Sequence, residues 1–340
     1  MRYGYLGPAT TFTHQALLEA LARGVGAQLS ATGTTVSGID NVSAGDVGTN
    51  DVDADDTVPY PNVPAAMLDL LEGRLDAVMA PLENSVEGGV SGTLDALAQT
   101  GGIGIIAEQI VPITFVLATR EPISTSEITE VASHSHAQAQ CQGWVRSHLP
   151  GVSLKTTLST AAAAQDLART PVQSARGRSV ICSPLAAKHF GLTVHAGRIE
   201  DHSDAVTRFV MVARAGAIPQ PTGTDKTSLV VHLPHNRTGA LLEMLEQFSA
   251  HGVNLSRIES RPLGDALGRY SFSLDVEGHI ADRRVGSALA SLYRTCPKVI
   301  YLGSYPRADK VRPQISDELS DVAFDRAGQW VDGLRAGIRG

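Results

Sequence analysis

Cysteine and aromatic residues are scarce in this chain of 340 residues: Phe, Trp and Tyr make up 5% of it, and its three thiols are Cys141, Cys182 and Cys296. Three cysteines so far apart supply neither a disulfide framework nor a C-x-x-C pair for zinc or redox chemistry; they suit buried thiols in a reducing compartment. No run of about 18 apolar residues occurs, which excludes a membrane-spanning helix. The opening Met1-Arg2-Tyr3-Gly4-Tyr5-Leu6-Gly7 reads as a strand and not as a basic, then apolar, leader, so a cytoplasmic protein is expected. Clusters of Lys and Arg are missing and the formal net charge is −7, which argues against nucleic acid as a partner. Also missing are a P-loop, a nucleophile elbow and a metal-ligand constellation. The expectation is a site without metal or cofactor that works by hydrogen bonding and positioning. An anionic ligand would be met locally by backbone N–H groups, hydroxyls and single Arg residues.

What is present is an alternation of short apolar runs and helical patterns over the first 214 residues, an α/β pattern. Strands are expected at Tyr3–Leu6, Leu75–Pro81, Ile103–Glu108, Ile113–Thr119, Glu130–Ser133, Val180–Ser183 and Arg208–Ala213. Helices are expected over Thr13–Ala22, Pro64–Leu71, Ala137–His148 and Thr160–Ala168. Between Ile39 and Thr57 stand six Asp residues among Gly, Asn and Ser, too little apolar surface to offset ordering, so this segment reads as a surface loop. Its spacing matches no Ca²⁺ loop. Residues 215–225 are rich in Pro, Gly and Thr and mark a linker. Beyond it, strand Thr227–Leu233, helix Gly239–His251, strands Leu255–Pro262 and Gly268–Val276, helix Ala281–Tyr293 and strand Val299–Leu302 give βαββαβ, the ferredoxin-like order. The tail repeats Leu319, Val322, Ala323, Trp330, Val331, Leu334 and Ile338 at helical spacing, a face that must pack on the body or on a neighbouring subunit.

Four segments place polar groups where a strand gives way to a helix or begins. Gly7-Pro8-Ala9-Thr10-Thr11-Phe12-Thr13 puts hydroxyls and free N–H groups at a helix start, which serves either as a cap or as an anion receiver. Pro81-Leu82-Glu83-Asn84-Ser85 ends a strand, where open α/β sheets hold ligands, and Ser91-Gly92-Thr93 offers a second helix start for a carboxylate. Ser133-His134 repeats the design with a titratable imidazole. Thr207-Arg208-Phe209 begins a strand, so one side chain can face a cleft while the next faces away.

Together, Gly4-Tyr5-Leu6-Gly7-Pro8 with Thr11-Phe12, Pro81-Leu82-Glu83-Asn84-Ser85, Ser133-His134 and Thr207-Arg208-Phe209 resemble the prephenate dehydratase family in order and spacing. Gly239-Ala240-Leu241-Leu242 and Glu259-Ser260-Arg261-Pro262 resemble the paired motifs of its regulatory ACT domain. Two features depart from the family pattern: Asp40–Asp56 looks like an insertion, and Ser135-His136 stands where the family often has Pro-Gln. No chorismate mutase helices precede Tyr3, so the resemblance is to the monofunctional enzymes.

The resemblance implies a two-lobed, periplasmic-binding-protein-like catalytic domain over 1–214, with lobes at 1–80 plus 190–214 and at 81–189. An ACT domain over 226–305 and a tail over 306–340 would follow. It implies a lyase that turns prephenate into phenylpyruvate. Thr207 would hydrogen-bond the leaving hydroxyl, with His134 and Glu83 as proton sources. Thr11, Asn84, Ser85, Ser91, Gly92, Thr93, Ser133, Arg208 and Phe209 would hold substrate. L-Phenylalanine would regulate at Asn236, Gly239, Ala240, Leu241, Leu242, Asn254, Glu259, Ser260, Arg261 and Pro262, in a homodimer or homotetramer. The alternatives are an arogenate dehydratase, which differs only at the keto or amino group, and a non-enzymatic small-molecule binding or sensor protein.

Overall fold

The computed structural model describes residues 1–25, 56–216, 218–233, 237–263 and 270–337. The acidic stretch from Asp40 to Asp55, together with Asn236 and Ile338, lies outside the described residues. The chain divides into two compact units, Met1–Thr93 with Gln109–Met211, and Leu94–Glu108 with Val212–Gly340.

The chain begins with β1 (Tyr3–Leu6), α1 (Phe12–Ala22), β2 (Thr57–Tyr60), α2 (Val63–Leu71), β3 (Ala77–Asn84), β4 (Gly88–Gly89), α3 (Ser91–Gln99), β5 (Ile103–Pro112), β6 (Val116–Thr119) and β7 (Glu130–Ser133). There follow α4 (Ser135–Gln140), α5 (Gln142–His148), β8 (Ser153–Thr156), α6 (Thr160–Arg169), α7 (Val172–Ala175), β9 (Arg178–Cys182), α8 (Pro184–His189), β10 (Thr193–Gly197) and β11 (Val206–Arg214). A first sheet runs β2-β1-β3-β11-β5 with β4 on β3, and a second runs β10-β6-β9-β7-β8. In the second sheet, alternation sends Leu117, Val131 and Ile181 to one face and Val116, Ala118, Ala132 and Val180 to the other; both faces are covered by apolar side chains.

Two expected features are corrected. The helix expected over Ala137–His148 is two helices, because Cys141 leaves helical geometry and the Asp201 carboxylate accepts from the N–H groups of Gly143 (2.8 Å) and Trp144 (3.0 Å), capping a new start. Ile103–Pro112, expected in the lobe of residues 81–189, pairs in the first sheet, and Thr193–Gly197, expected in the other lobe, pairs in the second. The strand pairing that decides this is long-range and leaves no mark in local sequence.

The second unit contains β12 (Asp225–His232), α9 (Ala240–Ala250), β13 (Leu255–Pro262), β14 (Tyr270–Glu277), α10 (Arg283–Thr295) and β15 (Lys298–Pro306), then α11 (Asp321–Arg335). Its sheet, β13-β14-β12-β15, is antiparallel throughout and has the ferredoxin-like order. Met244 and Phe248 of α9 and Val285, Ala288 and Leu292 of α10 pack on Leu229, Val231, Leu274 and Val276. The sheet also meets residues 94–108 of the same unit. Glu108 accepts from Lys226 Nζ at 2.9 and 3.2 Å and from Ala308 N at 2.9 Å. Gly303, at φ +140°, comes so close to Ile105 that a Cβ would stand 2.2 Å from its carbonyl oxygen.

The tail is held through its beginning. Arg283 binds Asp321 and Asp325 at 2.8 Å each, and Leu319 fills the space beside Gly252. Val322, Trp330 and Leu334 remain exposed. Among the described residues no helix is long and apolar enough to cross a membrane.

Candidate active site

The geometry is built where β3 ends beside the start of β11. Ser85 N donates to Val206 O at 2.9 Å, and Val206 N donates back to Ser85 Oγ at 3.0 Å, which fixes the two segments in register. Asn84 Nδ2 then donates to Thr207 Oγ1 at 2.8 Å. The amide cannot be reversed, because Asn84 Oδ1 accepts from Val86 N (2.8 Å) and Glu87 N (3.0 Å). With its oxygen accepting from Asn84, Thr207 keeps its own O–H free to donate. Alternation sends the neighbours to the other face, where Arg208 pairs with Glu83 at 3.6 Å. That pairing turns Glu83 away from the Thr207 hydroxyl, and for Arg208 it agrees with a bracing role, one of two open to it, the other being contact with an anion. Phe209 is buried and packs within the fold.

The turn after Asn84 reaches the second sheet. Glu87 binds His136 Nδ1 at 2.8 Å and Gln140 Nε2 at 3.2 Å on α4. The His136 ring lies 5.0 Å from that of His134, the residue that caps α4. His134 Nδ1 accepts from His136 N (3.3 Å), so Nε2 is the nitrogen that carries a proton in the neutral ring. Burial, then the neighbouring His136, pushes His134 below the ordinary imidazole range, with Glu87 opposing. Ser133, by contrast, is buried with its hydroxyl donating to Ile181 O at 2.7 Å. It ties β7 to β9 and offers a ligand nothing.

In the loop after β1, Thr11, expected to hold substrate, is engaged locally. Thr11 Oγ1 donates to Pro8 O (3.0 Å) and accepts from His14 N (3.4 Å), so it serves as the helix cap. Thr10 is the unusual residue: φ is +70°, a conformation disfavoured for a β-branched side chain, and its buried Oγ1 has no partner among the described residues. Its N–H donates to His14 Nδ1 (3.1 Å) and its carbonyl accepts from Ser183 Oγ (3.2 Å) at the end of β9. Phe12 meets Phe115 edge to face at 5.7 Å, a second contact between the first helix and the second sheet. The Thr-Thr pair was the only sequence signal for Thr10. Thr93 also has a buried Oγ1 without a partner among the described residues, whereas Ser91 and Gly92 are exposed.

Cys141 and Cys182 are buried thiols pushed up to about 12 by desolvation, far from thiolate chemistry. A cavity of about 470 Å³ beside Ser85 is lined by Asp201 and Asp204, a poor surround for a dianion. The hydrogen-bonding groups at Thr10, Asn84 and Thr207 are better suited.

In the second unit, Gly239 caps α9 at φ +86°, and Ala240 is buried while Leu241 and Leu242 are exposed. On the edge strand β13, Ile258 and Ser260 pair with Leu274 and Phe272 and so face the helix-packed side of the sheet. Glu259 and Arg261 face the other side, where Arg261 forks onto Asp95 of α3 at 3.0 and 2.9 Å. Asn254 is exposed and its carbonyl accepts from Glu277 N at 2.9 Å; Pro262 ends the strand.

Fold and site thus define an α/β body with hydrogen-bonding side chains where its strands begin and end, followed by an appended ferredoxin-like module. The prephenate dehydratase family profile matches residues 3–217 and the ACT domain profile residues 227–292. The prephenate dehydratase of Amycolatopsis methanolica is 36% identical over 337 residues, covering 99% of this chain and 98% of that one. That of Mycobacterium tuberculosis is 36% identical over 339 residues, covering 99% and 95%. The structure of prephenate dehydratase from Arthrobacter aurescens in complex with L-Phe superposes with a TM-score of 0.83 at 43% identity, covering 99% and 100%. The chain belongs to the prephenate dehydratase family, with a C-terminal ACT domain, and is an enzyme of L-phenylalanine biosynthesis.

Proposed function

We propose that Thr207 donates the hydrogen bond that assists departure of the prephenate hydroxyl. The observation that carries this is the Asn84 Nδ2 to Thr207 Oγ1 bond of 2.8 Å, which occupies the oxygen and directs the proton outward. Prephenate loses its ring carboxylate as CO₂; the electron pair of that bond enters the ring, and the hydroxyl leaves para to it as water. Aromatisation drives the step, so the protein has mainly to orient the dienyl ring and donate toward the leaving oxygen. His134 is the remaining candidate proton source, because Glu83 is paired with Arg208; it would deliver the proton as imidazolium, a form that its lowered pKa makes scarcer at neutral pH. Thr10 and Thr93, with unpartnered hydroxyls, and Ser91 and Gly92 at the start of α3 would receive carboxylate and carbonyl oxygens. Thr207→Val keeps the shape and removes the donor; kcat on prephenate is expected to fall about 10²-fold or more, while Thr207→Ser retains most of it. Near-normal kcat in a folded Thr207→Val protein would remove the assignment. Turnover of prephenate and arogenate side by side tests the substrate.

L-Phenylalanine, the ligand held by the Arthrobacter aurescens enzyme, would bind along Gly239–Leu242 and Ser260 at an interface between two copies of this chain. The exposed Leu242 and Ile258, and the outer edge of β13, which pairs with no strand among the described residues, support an assembly of at least two subunits. The division of labour would be a dehydratase domain over 1–214, a linker over 215–225, an ACT domain over 226–305 and a docked tail, acting in the cytoplasm. Regulation has a physical route. Arg261, in one regulatory motif, grips Asp95, one turn along the helix that Ser91, Gly92 and Thr93 begin.

A further inference from the structure

We propose that a cavity at the far end of the second sheet is a separate binding site for a small monocarboxylate with an apolar body. The cavity holds about 350 Å³. Arg120, the residue directly after β6, lines it, and its Nε is buried without a hydrogen-bond partner among the described residues. That atom is closed to solvent, so a ligand in the cavity would be met by the outer nitrogens of the guanidinium. The nearby Glu127 is already engaged: it accepts from Ser124 N at 2.9 Å and from Arg176 at 3.5 Å. Among the described residues no hydrogen bond or ion pair engages Arg120 Nη1 or Nη2, which are the donors that Arg120 brings to the cavity it lines.

The walls are fixed before any ligand arrives. Thr119 Oγ1 donates to Glu121 O at 2.6 Å and lies 2.6 Å from His195 Nε2, so the backbone is pinned on both sides of Arg120. Ser124 and Glu127 form a reciprocal capping box on the adjoining turn. Pro122, Ile123 and Val172 supply an apolar surface. Arg120 and Arg176 against Glu121 and Glu127 leave the cavity formally neutral, which disfavours a multiply charged phosphate and suits a monoanion with a hydrocarbon part.

This is not the dehydratase site. Thr119 pairs with Ser179 and Val116 with Cys182, so the cavity and the Ser183–Thr10 contact lie at opposite ends of β6 and β9, about 10 Å apart along the strands.

The test uses the full chain, with butyrate as the probe and phenylglyoxal as an arginine-specific reagent, each modified arginine being read by peptide mass spectrometry. Butyrate is expected to slow modification of Arg120 at least fivefold and saturably, and inorganic phosphate at the same concentration to slow it less than twofold. In calorimetry, Arg120→Gln should weaken butyrate binding at least tenfold. Ile123→Asn, which leaves the guanidinium in place, should weaken it as well and covers the case in which Arg120→Gln fails to fold. Unchanged modification of Arg120 in butyrate, equal protection by phosphate, or full butyrate binding by a folded Ile123→Asn protein would each overturn the proposal.

Discussion

Buried polar groups differ in kind between the two units. In the second unit the buried carboxylates Glu108 and Asp275 are matched to Lys226 and Arg257, and the buried Arg307 to Glu277 and Asp309, while single guanidinium nitrogens, Arg257 Nη1 and Arg284 Nε, lack a hydrogen-bond partner among the described residues. In the dehydratase unit, hydroxyls at helix starts, Thr10 and Thr93, are buried without a hydrogen-bond partner among the described residues, and Thr207 keeps a proton to donate. A matched ion pair fixes structure, because removing either partner strands a charge. An unmatched hydroxyl costs far less to keep and stays available to a ligand. Under the proposed function, the contrast separates residues that hold the fold from residues that would meet the substrate.

The comparison is broken most severely by Lys226→Met. Both Lys226 and Glu108 are nearly inaccessible, so the variant leaves the Glu108 carboxylate with only part of its donor set, and a loss of about 3–5 kcal/mol in denaturant unfolding is expected. A loss below about 1 kcal/mol would mean that the pair is not what binds residues 94–108 to the ACT sheet. On the hydroxyl side, Asn84→Asp keeps the acceptor for Val86 N and Glu87 N but turns the Thr207 hydroxyl inward, toward the new carboxylate. Stability should change by less than about 1 kcal/mol, while kcat falls roughly 10- to 100-fold. Equal losses in both measurements would erase the distinction between the two kinds of site.

A smaller effect is expected at Asp95→Asn, which weakens the fork to Arg261 on the exposed side of the regulatory unit. Basal kcat should stay within about twofold, L-phenylalanine should still bind, and its inhibition should weaken about tenfold, in line with typical coupling free energies of ~1–3 kcal/mol. Intact inhibition would place the coupling elsewhere.

The smallest effect is a pH dependence. His14 is held below the ordinary imidazole range, first by burial and then by the neighbouring His189, and its Nδ1 accepts from Thr10 N. His134 is shifted the same way. In both cases the unfolded chain takes up protons first as pH falls below about 6.5, so stability rises with pH through that window and is lost on acidification. His14→Gln should flatten part of this slope in thermal melts between pH 5 and 7.5. An unaltered slope would show that His14 is not among the groups responsible.

Local pattern located the elements well wherever neighbours in sequence settle the matter. Tyr3–Leu6, Glu130–Ser133 and Leu255–Pro262 are strands with the expected bounds, and α1 and α6 differ from expectation by one residue at one end. Capping and alternation act over a few residues and are legible there. The break at Cys141 was not, because Asp201, 60 positions away in the chain, supplies the cap.

The sequence by itself determined the class of this protein: an α/β dehydratase followed by a βαββαβ module, with Asn84 and Thr207 among its polar motifs. Only the tertiary structure decided which members of those motifs are already engaged. Thr11 caps a helix while Thr10 keeps a hydroxyl without a partner among the described residues, Ser133 turns into the sheet, and Glu83 turns to Arg208. Only the tertiary structure, too, attached residues 94–108 to the ACT sheet, through Glu108 and Asp95. The physical reason is shared: residue type sets which hydrogen bonds a side chain can make, but the partner that takes them is supplied by strands distant in the chain.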